Sequence, residues 1–345
     1  MDVPVISYNM SVFSAMGNKE AKFASEYSFL QRAKVVDMDG MKVTDFFVNS
    51  LDHLANTIQR IDAKVIGIQE FHPPTLGMIQ SKLANPKFAY HAFSKTITNN
   101  AAVLTIWDQE VLGSMVAPAY DEDMGLTEGV EGLLPNDKGR PISIIKTTKG
   151  YILINFHGIN RPKYNADGSE TGKDNSAILK NLLTVHTSAA GVMDANKMIV
   201  MCDSNDRTHG INMESPLMIN GVGLHDGHAA ADITETSCCY NWDSCGVPIS
   251  GGKVTLGTVG AEANYKYTGD YVLGANLSTP VIAELSAQDA DGASIESDHK
   301  LVYAVVSVPV LMNGGRRRRR PSRGRRHRSR TNNRNNRRSR KNRRN

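Results

Sequence analysis

Polar residues follow several apolar, β-branched stretches of this sequence, and residues 198–205 are the clearest case. The run Met-Ile-Val-Met-Cys leads directly into Asp203 and, two positions later, Asn205. Such a run predicts a strand buried on both faces, and because an unpaired carboxylate is costly inside it, we expect Asp203 where the strand emerges. In open α/β sheets, ligands bind at strand ends of this kind. Taken alone, however, a capping aspartate followed by a turn is the simpler interpretation.

The same pattern recurs in chain order through most of the sequence. The polar residues at predicted strand ends are Asn9, Glu70, Asn155, His157, Asp203, Asn205, Asp298 and His299, with Asp270 at the head of its own strand. Each has an ordinary explanation, since a strand-end carboxylate is more often a cap than a metal ligand and a lone histidine is more often a hydrogen-bonded residue at the core edge. Repetition at successive strand ends indicates a shared site.

The elements that would position these residues are strands and amphipathic helices. Hydrophobic periodicity predicts strands over residues 3–9, 64–70, 101–107, 141–147, 151–157, 198–203, 270–274 and 299–306. It predicts helices over residues 43–61 and 75–83 and around Leu179 and Leu183. The acidic, glycine-containing residues 121–137 predict a loop, and residues 208–266 an irregular segment with hairpins. Alternating helices and strands with paired strands in the middle indicate an α/β protein whose sheets are covered by helices.

Six short motifs, taken in order, resemble those of the endonuclease/exonuclease/phosphatase family, which has a deoxyribonuclease-like fold. They are Ser7-Tyr-Asn9, Ile68-Gln-Glu70, Asn155-Phe-His157, Asp203-Ser-Asn205, Asp270-Tyr-Val-Leu and Ser297-Asp-His299. No single motif is specific, whereas the ordered set is. The family usually has glycine where Cys202 stands, and we expect only slight crowding from the thiol. The resemblance implies an α/β fold of the α+β type: a four-layer sandwich of two facing mixed β-sheets flanked by helices.

The resemblance also implies metal-dependent hydrolysis of phosphoester bonds. Mg²⁺ (or Mn²⁺) would be held by Glu70 with Asn9 and Asp298, because hard cations prefer oxygen ligands and retain several waters. Asp203 would activate the attacking water. Asn205 would orient that water or bind the phosphate.

The histidines complete the set of roles that the resemblance implies. His299, hydrogen-bonded to Asp270, would bind phosphate and donate a hydrogen bond to the developing oxyanion. His157 would bind phosphate or assist the leaving group. Asn155 would support His157 and contribute to phosphate binding.

Charge is distributed very unevenly along the 345 residues. Residues 313–345 contain 16 arginines, Lys341 and no acidic residue, which gives them a charge of +17. The remaining 23 lysines and arginines stand against all 35 acidic residues, so residues 1–312 carry −12. Because the basic stretch has almost nothing apolar to bury, it predicts disorder. We therefore expect a catalytic domain over residues 1–312 and a disordered tail over residues 313–345.

The basic tail is dense enough to bind polyanions through counterion release. It begins with an unbroken run of arginines, namely Arg316, Arg317, Arg318, Arg319 and Arg320. Since the acidic body would not attract DNA or RNA by itself, we expect the tail to act as a sequence-independent tether. A nuclear localisation signal, a tail that folds onto the acidic body, packing of nucleic acid in a virus particle, and an anionic membrane surface are the alternatives.

Three functions remain open at this point. The first is a Mg²⁺-dependent nuclease acting on DNA or RNA; the second is a phosphatase or phosphodiesterase of inositol phosphates or phospholipids; the third is a non-catalytic nucleic-acid-binding or packaging protein. No apolar run is long enough for a transmembrane helix, the N-terminus lacks signal-peptide features, and four cysteines make no disulfide framework. We expect an intracellular protein that is nuclear or associated with nucleic acid, a virion being one such setting, and that is not secreted; we expect its catalytic domain to be monomeric.

Overall fold

The computed structural model describes residues 1–10, 43–93, 102–116, 120–123, 141–158, 163–164, 170–171, 179–180, 183–184, 194–204, 216–226, 269–284, 286, 297 and 299–308. All of them belong to one unit, Met1–Pro309. Several predicted site residues lie outside the described residues: Asn205, Asp298, Arg316, Arg317, Arg318, Arg319 and Arg320. The division into a catalytic domain and a tail at residue 312 therefore stays a prediction.

Short strands dominate the described part of the chain. The strands are β1 (Asp2–Asn9), β2 (Val65–Phe71), β3 (Phe88–Phe93), β4 (Ala102–Asp108), β5 (Tyr120–Asp123), β6 (Pro141–Lys146), β7 (Ile152–His157), β8 (Lys163–Tyr164), β9 (Glu170–Thr171), β10 (Met198–Asp203), β11 (Leu217–Ile219), β12 (Val222–Leu224), β13 (Asp270–Gly274), β14 (Val281–Ile282) and β15 (Val302–Ser307). The α-helices are α1 (Val43–Ile61), α2 (Leu76–Leu83) and α3 (Gln109–Leu112).

Two mixed sheets carry the fold. The first has six strands in the order β14-β15-β1-β2-β4-β3, and the second has five in the order β13-β10-β7-β6-β5. Each sheet contains one parallel pair, β1 with β2 in the first and β7 with β10 in the second. In each sheet, one strand of the parallel pair also has an antiparallel neighbour: β15 pairs with β1, and β13 pairs with β10. These antiparallel strands begin where the parallel strands end. The ends of β1, β2, β7 and β10 are therefore the natural places for a shared site.

Three hydrophobic clusters define four layers. One lies between the sheets and contains Val3 and Val65 of the first sheet with Leu153 and Ile199 of the second. Another packs α1 and α2 on the outer face of the first sheet. The third covers the outer face of the second sheet with helical residues near Leu179 and with the β11–β12 hairpin. The predicted arrangement of two facing mixed sheets flanked by helices is confirmed.

Helix α1 follows directly from its sequence pattern. Phe47, Leu51 and Leu54 recur at helical spacing and are at most 4% exposed against the first sheet. Burial of each such side chain contributes about 1.5–3 kcal/mol. At the end of the helix, the Arg60 guanidinium lies over the Tyr303 ring, 5.5 Å from its centre. The helix has the bounds predicted for it.

Three edge strands differ from the sequence prediction. Residues 121–123, predicted as part of a loop, belong to β5, where they pair with β6 at the edge of the second sheet. The edge strands β3 and β14 of the first sheet were not predicted from the sequence. Each of these strands pairs on one side only, and β3 and β14 each bury only one side chain, so their sequences lack the pattern of a strand inside a buried sheet. No helix among the described residues is long and apolar enough to cross a membrane.

Candidate active site

The space between the sheets changes from apolar to polar at one end of the sandwich. Along β1, Val3 and Val5 pack in the inter-sheet core, whereas Asn9 on the same face reaches across to the second sheet. Along β10, Ile199 and Met201 are likewise core residues, and Asp203 follows on their face. Alternate residues of a strand share a face, so each strand presents its apolar residues first and its polar residue at the end. A polar site closed by both sheets results.

Asn9 stands at the centre of a hydrogen-bonded row of four side chains. Its Nδ2 donates to Asp203 Oδ2 at 2.8 Å and lies 3.3 Å from His299 Nε2. On its other side, His299 Nδ1 is 2.8 Å from Asp270 Oδ2. With the Nδ1–H donated to Asp270, the neutral imidazole has its lone pair on Nε2, where it accepts from Asn9. This row fixes the tautomer and the ring orientation of His299.

His157 and Glu70 form the other half of the site. His157 Nε2 is 3.5 Å from Asp203 Oδ2 and 3.8 Å from Glu70 Oε1, so the imidazole lies between two carboxylates. His157 is fully buried, whereas the Glu70 side chain keeps 14% of its surface exposed. Glu70 is thus the carboxylate of this group that solvent reaches most easily.

The backbone at Glu70 explains how this side chain reaches the site. The pairing of β2 with β4 shifts between Ile68 and Phe71, and Glu70 has a φ of +50°. Simple alternation would place Gln69 and Glu70 on opposite faces of the sheet, and Gln69 already points between the sheets. The bulge turns Glu70 towards His157 of the second sheet. Bulges and positive φ values at non-glycine residues concentrate at functional sites, where they redirect a side chain.

The composition of the site favours a cation. Three carboxylates, Glu70, Asp203 and Asp270, meet two histidines in a largely buried space. Ligand atoms of Asp203, Asp270 and His299 all lie within 4.8 Å of one another, which is close enough for one metal ion. Buried carboxylates require compensating charge or hydrogen bonds, and a hard divalent cation among these oxygen and nitrogen atoms would supply such charge. The residues present therefore fit a divalent metal ion.

Asn155 lies behind the site and is enclosed. Its Nδ2 donates to the carbonyl oxygens of Ile68 and Leu104, at 3.2 and 3.0 Å, and its Oδ1 accepts from Gln69 Nε2 at 2.8 Å. Both ends of the amide are used within the protein. This position suits the supporting role expected for Asn155 and does not suit the phosphate contact.

Cys202 lies on the face of β10 opposite Asp203. It is fully buried in the outer cluster of the second sheet, to which Leu179 and Leu183 also belong. Burial, followed by the negative charges of Asp203 and Asp270, raises the pKa of the Cys202 thiol well above its usual value. The thiol therefore stays protonated and acts as a small apolar residue.

Two serines hold the site in place and were not assigned a role from the sequence. Ser297 Oγ donates to the Asn9 carbonyl and accepts from the His299 N–H at 3.1 Å. The Ser297 N–H in turn donates to Ser50 Oγ of α1 at 3.0 Å. Ser50 is fully buried on the apolar face of that helix. A polar residue beside Phe47 and Leu51 on the buried side of the helix was the signal that could have identified it.

Comparisons with known proteins give similarity in structure alone. No protein-family model and no curated protein matches the sequence. An endonuclease/exonuclease/phosphatase family protein from Bacteroides thetaiotaomicron is 13% identical, covers 90% of this chain and 99% of its own, and has a TM-score of 0.54. ANGEL2, a 2′,3′-cyclic phosphatase, is 14% identical over 88% of this chain and 95% of its own, with a TM-score of 0.55.

A third solved structure extends the comparison to another kind of phosphatase. A mannosyl-6-phosphatase from Bacteroides thetaiotaomicron is 13% identical, covers 88% of this chain and 100% of its own, and has a TM-score of 0.50. At identities this low, the structural similarity shows a shared fold only. The chain has the fold of the endonuclease/exonuclease/phosphatase family.

Proposed function

We propose that this protein is a divalent-metal-dependent phosphoester hydrolase and that its substrate is DNA or RNA. The observation that carries the proposal is the row Asp203–Asn9–His299–Asp270, which joins the ends of both sheets through contacts of 2.8, 3.3 and 2.8 Å. It places a carboxylate and a carboxylate-supported imidazole at one end of the sandwich. Phosphoester hydrolysis needs such a pair, one group to remove a proton from water and another to stabilise charge on the phosphate.

Asp203 is the proposed general base. Its carboxylate is buried at the end of β10 and held by Asn9, so it is oriented before a substrate arrives. His299 is the proposed donor to the phosphate. The Asp270 carboxylate stabilises a positive charge on the imidazole, which then carries a proton on Nε2 as well as on Nδ1.

Glu70 is the proposed principal ligand of Mg²⁺ or Mn²⁺. Asn9, whose amide nitrogen is used by Asp203, would add its amide oxygen, and Asp298 would complete the protein ligands as its motif implies. The alternative set of Asp203, Asp270 and His299 is less suitable, because Asp270 and His299 already bond to each other at 2.8 Å. When bound, the ion supplies Lewis-acid neutralisation of phosphate charge.

The substrate class rests on the sequence rather than on the fold. ANGEL2 is described as a 2′,3′-cyclic phosphatase and another similar structure as a mannosyl-6-phosphatase, so proteins of this fold act on chemically different phosphates. The +17 charge of residues 313–345 supports nucleic acid, because an acidic body needs a basic segment to approach a polyanion. It supports a location rich in nucleic acid, the nucleus or a virion, for the same reason.

A hydrolase of inositol phosphates or phospholipids is the second candidate. The same tail charge that attracts nucleic acid also attracts an anionic membrane surface, at about 1 kcal/mol per basic residue near that surface. The tail charge is the observation that favours this candidate over an unrelated small phosphate ester.

A substrate panel tests the proposal. Supercoiled plasmid, abasic-site duplex, single-stranded RNA, 5′-tyrosyl DNA and phosphoinositide are each incubated with the full chain and with a chain truncated after Met312, in Mg²⁺, Mn²⁺ or EDTA. We expect metal-dependent cleavage of a nucleic acid, with weaker and less salt-dependent binding after truncation. Cleavage of phosphoinositide alone would move the substrate to lipids. Binding of nucleic acid without cleavage in either metal would identify a non-catalytic binding protein.

A further inference from the structure

A layer of buried polar side chains lies between the two sheets, directly behind the candidate active site. Its members are fully buried: Ser7 on β1, Gln69 on β2, Thr105 on β4, Ser143 on β6 and Asn155 on β7. Ser143 is the register partner of Asn155 in the second sheet. The inter-sheet core on the other side of this layer is apolar and contains Val5 and Leu153. The layer thus separates the apolar core from the site.

Gln69 connects the two sheets within this layer. Its Nε2 donates to Asn155 Oδ1 at 2.8 Å and lies 3.4 Å from Ser7 Oγ. Ser7 Oγ is in turn 3.4 Å from the Cys202 carbonyl oxygen. Asn155 carries the connection back to the first sheet through the Ile68 carbonyl. One glutamine amide therefore links β1, β2, β7 and, through Ser7, β10.

Each member of this network stands just before a residue of the candidate site on the same strand. Gln69 directly precedes Glu70, and Asn155 stands two positions before His157. Ser7 and Cys202 hold the corresponding positions before Asn9 and Asp203. Because a strand moves as a unit over one or two residues, fixing Gln69 against Asn155 also fixes Glu70 against His157. These two side chains meet across the sheets at 3.8 Å.

We propose that Gln69 is a positioning residue of the site, which holds the Glu70 carboxylate in register with His157 by bridging to Asn155. The proposal rests on the proposed function for its effect on turnover. The position of His157 relative to Glu70, which the proposal also predicts, does not depend on the substrate.

A purely stabilising role does not account for the layer. Gln69 Oε1, Thr105 Oγ1 and Ser143 Oγ are buried and have no hydrogen-bond partner within the part of the chain that the structure describes. Buried polar atoms of this kind cost free energy relative to apolar ones of the same size. Stability alone would favour apolar residues here, as in the rest of the inter-sheet core. At Gln69, the geometry that its bridge to Asn155 imposes is the benefit that offsets this cost.

Variants in the same layer separate positioning from stability. Gln69→Met and Asn155→Leu remove the bridge while retaining similar volume, and Thr105→Val and Ser143→Ala are matched controls because they change the layer without removing a described hydrogen bond. We expect Gln69→Met to lower kcat about 10–100-fold, as for supporting residues around a metal site, with KM little changed. The double variant Gln69→Met/Asn155→Leu should be no slower than the slower single variant, since both remove one bridge. The two controls should keep the kcat of the original chain.

A second measurement does not require activity. The imidazole ¹⁵N signals of His157, assigned by their loss in His157→Gln, report the surroundings of this ring. We expect them to move in Gln69→Met and to stay in place in Thr105→Val. If the original chain hydrolyses no phosphoester but the signals move, the proposed function fails and the positioning role stands. The positioning role would be overturned if the His157 signals did not move in Gln69→Met. It would also be overturned if Thr105→Val and Ser143→Ala lost as much kcat as Gln69→Met and the losses followed thermal stability.

Discussion

Asn9 on β1 of the first sheet donates a 2.8 Å hydrogen bond to Asp203 on β10 of the second. Both residues are fully buried, and both end the central parallel strands of their sheets. The same Asn9 nitrogen lies 3.3 Å from His299, which rests on Asp270. One amide therefore sets the spacing between the proposed base and the proposed phosphate donor. The site exists only where the two sheets face each other, so neither sheet alone could form it.

This contact predicts the effect of Asn9→Asp. The substitution places a second carboxylate against Asp203, and because two adjacent carboxylates do not both ionise easily, the pKa of the pair rises. A base with a raised pKa is deprotonated only at higher pH. The acidic limb of the pH profile of kcat/KM should therefore move to higher pH, which is measured on the substrate that the panel identifies. An unchanged acidic limb would show that Asp203 is not the base that controls this limb.

Removal of either proposed acid–base group should abolish most of the activity while the fold survives. We expect Asp203→Asn and His299→Ala each to lower kcat by about 10²–10⁴-fold. Asp52→Asn is the matched control for the first, because Asp52 lies on α1 as the partner of Lys82 in an exposed ion pair of little energetic value. Kinetics and thermal unfolding are measured together. Full kcat in both site variants would exclude these roles.

The sequence predicted best those helices and strands whose position depends only on the burial of their own apolar residues. The spacing of Phe47, Leu51 and Leu54 sufficed to place α1, because an amphipathic helix needs only one apolar face. The apolar run before Asp203 likewise placed β10 and its polar end. Both predictions depend on local pattern alone.

The parts that the sequence did not reveal depend on partners distant in the chain. The direction of Glu70 is set by a bulge with a φ of +50°, and no glycine marks that position. The sequence predicts Asn155 to be a site residue because it stands two positions before His157. In the structure, its amide is hydrogen-bonded to Gln69, Ile68 and Leu104 of the other sheet. Strand alternation gives the face of a residue but not its depth in the sandwich.

Metal binding distinguishes the two possible ligand sets. If Glu70 is the principal ligand, Glu70→Gln should weaken Mn²⁺ binding by about 10-fold or more, because a hard cation loses a charged oxygen. Asp270→Asn should weaken it much less, since Asp270 is hydrogen-bonded to His299. Calorimetric titration of Mn²⁺ into each variant measures both affinities without a substrate. The reverse order of effects would assign the ion to Asp203, Asp270 and His299.

The close approach of β7 and β10 at the site predicts a strict requirement for glycine at position 158. The Gly158 N–H donates to the Asp203 carbonyl at 2.6 Å, and a Cβ atom on Gly158 would lie 2.0 Å from the Ser204 carbonyl oxygen. A Cβ atom and a carbonyl oxygen cannot approach this closely, so Gly158→Ala must separate the strand ends that carry His157 and Asp203. We expect a loss of stability of about 2 kcal/mol or more, as for other sterically strained substitutions, and a lower kcat in the protein that remains folded.

Gly77→Ala is the matched control for this prediction. Gly77 lies within α2, and a Cβ atom there would have no neighbour within 4 Å. Alanine in a helix is favoured over glycine by about 0.8–1 kcal/mol, so this variant should be slightly more stable and equally active. Urea unfolding and steady-state kinetics on both variants provide the comparison. If Gly158→Ala retained the stability and kcat of the original chain, the strand ends would have to tolerate separation, and the tight junction between His157 and Asp203 would not be required for the site.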